Sequence, residues 1–111
     1  MKNGDLEMEK EKRLSELKEL FRDVEDNEKQ LIDKLLNEVV FLEEQMTDLK
    51  EMPFINVHPK NPVLQKVTPA AKLYKECSQS YMNAVRILLS ILRKVESSAQ
   101  DELLKKLEEF S

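Results

Sequence analysis

Acid–base, nucleophilic and metal chemistry need particular side chains at particular spacings, and this sequence offers few. Its single histidine, His58, is the only imidazole available as a general base or metal ligand. One histidine cannot form the HExxH or HxxxH pairs that bind zinc. No serine or cysteine stands at a recognisable motif spacing from it. His58 therefore reads as a structural hydrogen-bonding group or an interface residue. The lone Cys77 excludes an internal disulfide and a cysteine-based zinc site. It falls in an apolar helical stripe, where a thiol acts as a small core residue.

The carboxylates give no better catalyst. Glu43 and Glu44 are expected on polar helix faces, with Asp33 and Glu38 flanking an apolar seam. Ferritin-type metal sites need inward carboxylates with Glu-x-x-His pairs, which the sequence lacks. The only glycine is Gly4, so no glycine-rich phosphate loop exists, and nucleotide hydrolysis is excluded on that ground. The expectation is a chain that is not an enzyme and holds no cofactor or metal.

The richest stretch runs from Lys60 to Lys75. It joins a proline-stiffened loop to a helix N-terminus, whose free amides favour anions. His58, Lys60, Lys66, Lys72 and Lys75 form the candidate nucleic-acid-binding set, and Lys72 and Lys75 share a helix face. A loop that merely packs would explain the prolines equally well. Tyr74 and Tyr81 could stack on bases, but at helical spacing their simpler role is packing.

The elements that must position these residues are helices. Hydrophobic residues make up 41% of the 111 positions and charged ones 36%, with aromatics at 5%. Such a balance suits elongated helices with much charged surface. β-branched runs and glycine-rich turns, which a sheet protein needs, are missing. The length allows one domain. The expected fold is all-α: an antiparallel hairpin of two long helices, shorter N- and C-terminal helices, and an ordered Pro-rich connector.

Residues 1–9 are expected to fray. A first helix over 5–24 places Leu17, Leu20, Phe21 and Val24 on one face. Around 23–27 the helix either breaks or runs through, and Asn27 with Gln30 has the form of a capping box. The second helix, 27–51, carries Leu35, Val39, Leu42, Met46 and Leu49 at heptad spacing. This seam is the expected interface, facing a core or a partner. Leu31, Ile32, Leu36, Val40 and Phe41 widen its first half enough to touch two neighbours.

All four prolines follow, at 53, 59, 62 and 69. They bar a continuous helix over 52–68, so the connector should run extended or in turns. Phe54, Ile55, Val57, Val63 and Leu64 are apolar, which predicts a connector pinned against the helices, with Phe54 and Ile55 as interface residues. Thr68 as N-cap and Pro69 at the first helical position start a third helix over 69–95. Its apolar face is Leu73, Cys77, Tyr81, Ala84, Leu88, Ile91 and Val95. Ser97-Ser98 precede a last helix, 99–110, that either docks on the hairpin or binds another chain.

Charge divides the chain. Residues 1–51 hold 9 Lys/Arg against 16 Asp/Glu, and residues 52–111 hold 9 against 6. Within 60–94 seven cations face Glu76 alone. The acidic whole speaks against nucleic acid, while the local excess leaves it open. No signal-like or membrane-spanning run is present, so a soluble, cytoplasmic protein without membrane contact is expected.

The text Val39-Val40-Phe41-Leu42-Glu43-Glu44-Gln45, Pro53-Phe54-Ile55-Asn56-Val57-His58-Pro59-Lys60-Asn61-Pro62 and Thr68-Pro69-Ala70-Ala71-Lys72-Leu73-Tyr74-Lys75 resembles short members of the terminase small-subunit family of Gram-positive phages and prophages. The resemblance covers Leu31 to Tyr81, and the proline-histidine-lysine block is its most specific part. It implies a non-catalytic DNA-packaging protein in a bacterial host cell. Such a protein binds phage DNA and/or the large terminase subunit and assembles as a homo-oligomer. Many small terminases also carry an N-terminal helix-turn-helix, and the acidic N-terminal half shows no convincing one. A helical protein–protein adaptor without DNA binding is the alternative.

Overall fold

The computed structural model describes residues 2–94 and 97–110. It comprises α1 (Lys2–Glu19), α2 (Asp26–Leu49), β1 (Ile55–Val57), β2 (Gln65–Val67), α3 (Pro69–Arg93) and α4 (Ser97–Glu108). The two long helices, α2 and α3, pack along each other; α1 lies on α2, and α4 on α3. Helical throughout apart from one small hairpin, the fold matches the all-α expectation.

Helix boundaries depart from the sequence reading at several points. No proline or β-branched residue interrupts 2–19, and α1 begins at Lys2, inside the stretch expected to fray. It also ends at Glu19, short of Val24. From there the backbone tightens into i→i−3 bonds: Leu20 to Leu17, Phe21 to Lys18, Arg22 to Glu19 and Val24 to Phe21. Phe21 and Val24 still reach the core, through a turn. The capping box does not form. Extended Glu25 precedes α2 without a side-chain cap, so Asn27 falls inside the first turn. Asp26 and Glu28 place negative charge at the helix's positive end instead. The two serines expected to separate α4 are part of its first turn. Val95, the last expected member of the α3 face, lies outside the described residues.

The core is one cluster: Leu17, Phe21 and Val24 from the N-terminal segment, Ile32, Leu36, Val39 and Val40 from α2, Ala84, Leu88, Ile91 and Leu92 from α3, and Leu103 from α4. The apolar arc of α2 touches two neighbours through Ile32, Leu36 and Val40, but Leu31 and Phe41, expected to widen it, lie beyond the packed arc and are exposed. Leu42, Met46 and Leu49 are also buried and Leu35 half-buried, so the heptad seam is spent on the chain's own packing. The last helix docks on its own chain: Leu103 is fully buried, Gln100 Nε2 donates to the Leu89 carbonyl at 2.9 Å, and the Phe110 ring lies 5.9 Å from Tyr81. Among the described residues no helix is long and apolar enough to cross a membrane.

The connector overturns one expectation. It folds into an antiparallel hairpin with Ile55 opposite Val67, Asn56 opposite Lys66 and Val57 opposite Gln65. None of the four prolines interrupts the ladder: Pro53 and Pro69 lie outside it, Pro59 and Pro62 in the loop. Nor is the connector pinned beneath the helices. Ile55 is 51% exposed, Val57 52%, Val63 86%, Leu64 56% and Val67 62%.

Candidate interaction site

The hairpin is held at its stem by Thr68. This buried threonine donates its hydroxyl to the Pro53 carbonyl at 2.7 Å and accepts the Ala71 amide at 3.2 Å. One side chain thus closes the base of the hairpin and caps α3. The Thr68 amide also donates to the Phe54 carbonyl at 3.0 Å. The Phe54 ring sits 5.3 Å from Tyr74 on the first turns of α3. That contact uses Tyr74 and leaves Leu73, expected on the buried face, exposed.

At the far end the loop is held by polar contacts. His58 Nδ1 accepts the amides of Lys60 and Asn61 at 3.1 and 3.2 Å. Asn61 Oδ1 accepts the Val63 amide at 3.3 Å, and the Leu64 amide donates to the Asn61 carbonyl at 3.0 Å. Of the two roles open to His58, the structural one is realised. Hydrogen bonds, not burial, offset the entropy of ordering this loop.

Directly opposite residues of an antiparallel pair share a face. Ile55, Val57, Val67 and Gln65 therefore lie on one side of the hairpin, and Asn56 and Lys66 on the other. A hollow of about 400 Å³ between Val57, Pro59 and Leu64 is edged by His58 and Lys66. Lys60, Lys66, Lys72 and Lys75 are all exposed, and none makes an ion pair among the described residues. His58, Lys60 and Lys66 belong to the hairpin, Lys72 and Lys75 to the first two turns of α3 against which it is anchored.

A second constellation was not legible in the sequence. Glu43, expected on a polar face, is only 5% exposed. Its two oxygens take Nε and Nη2 of Arg13, each at 2.8 Å, and Oε2 also accepts the Tyr81 hydroxyl at 3.0 Å. Arg13 Nη2 further donates to the Lys106 carbonyl at 3.2 Å. The carboxylate raises the Arg13 pKa, while burial and then Glu43 push the Tyr81 phenol above its ordinary value. Glu43 follows Val39 by four residues and precedes Met46 by three, so helical spacing already places it on the buried side. Nothing local points to Arg13. Glu44, in contrast, is exposed and 3.9 Å from Lys10.

Glu43, Arg13 and Tyr81 are saturated by one another, an arrangement suited to joining helices. Among the described residues no group of three or more His, Cys, Asp or Glu side chains is placed to hold a metal. Cys77 is half-buried on α3 and unpaired. No protein-family model, curated protein or solved structure matches this chain.

Proposed function

We propose that this chain is a non-catalytic phage DNA-packaging protein of the terminase small-subunit kind, contacting DNA and/or the large terminase subunit and assembling as an oligomer. The observation that carries the reading is the charge of the hairpin end. Residues 52–75 contain Lys60, Lys66, Lys72 and Lys75 and no Asp or Glu. These lysines are exposed and make no ion pair among the described residues, so their charge is available to phosphate. The loop and helix start that present them also carry the text resembling the family.

Salt-titrated binding of duplex DNA tests it. Phosphate contacts release counterions, so affinity falls log-linearly with salt, with a slope set by the number of contacts. Each of Lys60→Ala, Lys66→Ala, Lys72→Ala and Lys75→Ala is expected to weaken binding and to shallow that slope by about one contact. Absence of DNA affinity at low salt, together with failure to bind a large terminase subunit, overturns the reading.

The adaptor reading has its own support in the exposed apolar side of the same hairpin. It predicts partner binding without DNA binding.

A further inference from the structure

The strand register sorts the hairpin into two unlike sides. Ile55, Val57 and Val67 share one side with Gln65, while Asn56 and Lys66 stand opposite each other on the other. The pairing carries on past the ladder, where the His58 amide donates to the Leu64 carbonyl at 2.9 Å. Side chains two apart on a strand share a side, so His58 and Leu64 join Asn56 and Lys66. All four line one hollow of about 400 Å³, and Lys60, Lys72 and Lys75 lie outside it.

The loop fixes what His58 presents there. Nδ1 accepts the Lys60 and Asn61 amides, so it carries no proton. A neutral imidazole holds one proton, and with Nδ1 occupied that proton sits on Nε2. Nε2 makes no hydrogen bond among the described residues. The ring therefore offers a donor, which calls for an acceptor and not for a metal ion. Beside it Lys66 is exposed and makes no ion pair among the described residues. Diagonal partners such as His58 and Lys66 are about 7–8 Å apart at the backbone, within reach of long side chains. Asn56, also exposed, adds a side-chain amide. Residues 52–75 hold no Asp or Glu to meet these donors.

We infer that this polar side of the hairpin is a phosphate site, with Lys66 Nζ, the His58 Nε2–H and the Asn56 side-chain amide as its donors. The site deepens the DNA-contact reading and rests on it only for the source of the phosphate. Lys66 supplies charge, and the two neutral groups supply direction. An apolar ligand would leave all three donors unmet, and a cation would be repelled by Lys66. A phosphate group has enough acceptor oxygens to satisfy the three at once.

Nuclear magnetic resonance of the isotope-labelled full chain tests this, with inorganic phosphate and duplex DNA as separate probes. The neutral His58 ring is expected to carry its proton on Nε2. Either probe is expected to shift His58 Nε2, the Lys66 ammonium and the Asn56 side-chain amide together. Substitutions separate the donor from the loop. His58→Asn keeps an oxygen for the loop amides and an amide N–H for the ligand, and is expected to bind near the wild-type level. His58→Asp keeps the oxygen, and so protected Lys60 and Asn61 amides, but is expected to lose phosphate binding for want of a donor. Val67→Asp places the same charge on the other side of the hairpin and is expected to retain it. Asn56→Val and Lys66→Gln leave the loop bonds untouched and are each expected to weaken binding, which keeps the site testable if His58→Asp disturbs the loop.

A neutral ring protonated on Nδ1 overturns the inference, as does phosphate binding unchanged in Asn56→Val and Lys66→Gln. Wild-type binding by His58→Asp with an intact loop does the same. DNA-induced shifts confined to Lys60, Lys72 and Lys75 also overturn it, while keeping the DNA-contact reading. Shifts with inorganic phosphate and none with DNA support the site, assign it to free phosphate and count against that reading. Silence toward both probes overturns the site and the DNA contact together.

Discussion

Arg13 and Glu43, 30 residues apart in sequence, meet through two parallel hydrogen bonds of 2.8 Å each. The planar guanidinium matches the carboxylate at both oxygens, a geometry that a lysine cannot reproduce. Tyr81 reaches the same carboxylate from α3, and Arg13 continues to a carbonyl of α4. A single buried acid therefore bonds to α1 and α3 directly and to α4 through Arg13. Apolar packing is tolerant of small sliding between helices, whereas this polar cluster is satisfied at one register only.

Removing one member of the cluster leaves a buried charge unpaired. Glu43→Ala is expected to lower unfolding stability by about 3 kcal/mol, near the lower end for breaking a buried pair. Arg13→Lys, which keeps the charge but loses the two-point geometry, is expected to cost less, yet clearly more than nothing. Replacing both charges by apolar residues, Arg13→Met with Glu43→Leu, is expected to recover most of the loss. Urea denaturation of the four proteins measures these values. Equal stability of Glu43→Ala and wild type would show that the pair contributes nothing.

The Tyr81 phenol carries a pH signature. Its folded pKa lies above the ordinary value of about 10, with burial as the largest cause and the Glu43 carboxylate next. A raised folded pKa contributes stability that is complete below the unfolded pKa. That stability is lost as pH rises from the unfolded value through the folded one. Unfolding midpoints are therefore expected to decline above about pH 10 more steeply in the wild type than in Tyr81→Phe. Parallel alkaline limbs for the two proteins would contradict this.

Thr68 combines two roles that substitution can separate. Thr68→Ser keeps a hydroxyl for both bonds and is expected to be near wild type. Thr68→Val keeps the shape and loses both, with an expected cost of about 1 to 2 kcal/mol for the cap. Its loss at the Pro53 carbonyl should also appear locally. Hydrogen exchange at the Ala71 and Thr68 amides is expected to accelerate in Thr68→Val and not in Thr68→Ser.

Periodicity made the helices legible and chemistry made the connector only partly so. Spacings of three and four located the buried faces of α2 and α3, because helical geometry turns spacing directly into direction. Thr68-Pro69 marked a helix start for the same local reason. The pairing of the hairpin was not foreseen because the four prolines excluded a continuous helix without indicating which extended segments would meet, although their positions spare all six ladder residues. Its exposure could not have been inferred from five aliphatic residues that composition alone would bury. Glu43 was misplaced because its charge was weighed above its spacing from Val39 and Met46, and because Arg13 and Tyr81 become its neighbours only in three dimensions. Local rules read elements well, while contacts between distant segments need the fold.

His58 gives the sharpest test of how the hairpin loop is built. With Nδ1 accepting two backbone amides, the ring acts as an aspartate or asparagine does in a local turn, receiving the amide two residues on. His58→Asn is therefore expected to preserve the loop, while His58→Ala removes the acceptor and frees the Lys60 and Asn61 amides. The loop is exposed, so the loss is expected at the low end for a hydrogen bond, about 0.5 kcal/mol each, and the helical melt is expected to be unchanged. Residue-resolved hydrogen exchange would register faster exchange confined to residues 58–64. If the lysines of this end contact phosphate, His58→Ala is also expected to weaken DNA binding while leaving the salt slope intact, because it loosens the loop without removing a cation. His58→Asn is expected to restore the affinity. A loop equally protected in His58→Ala would show that the prolines alone hold it.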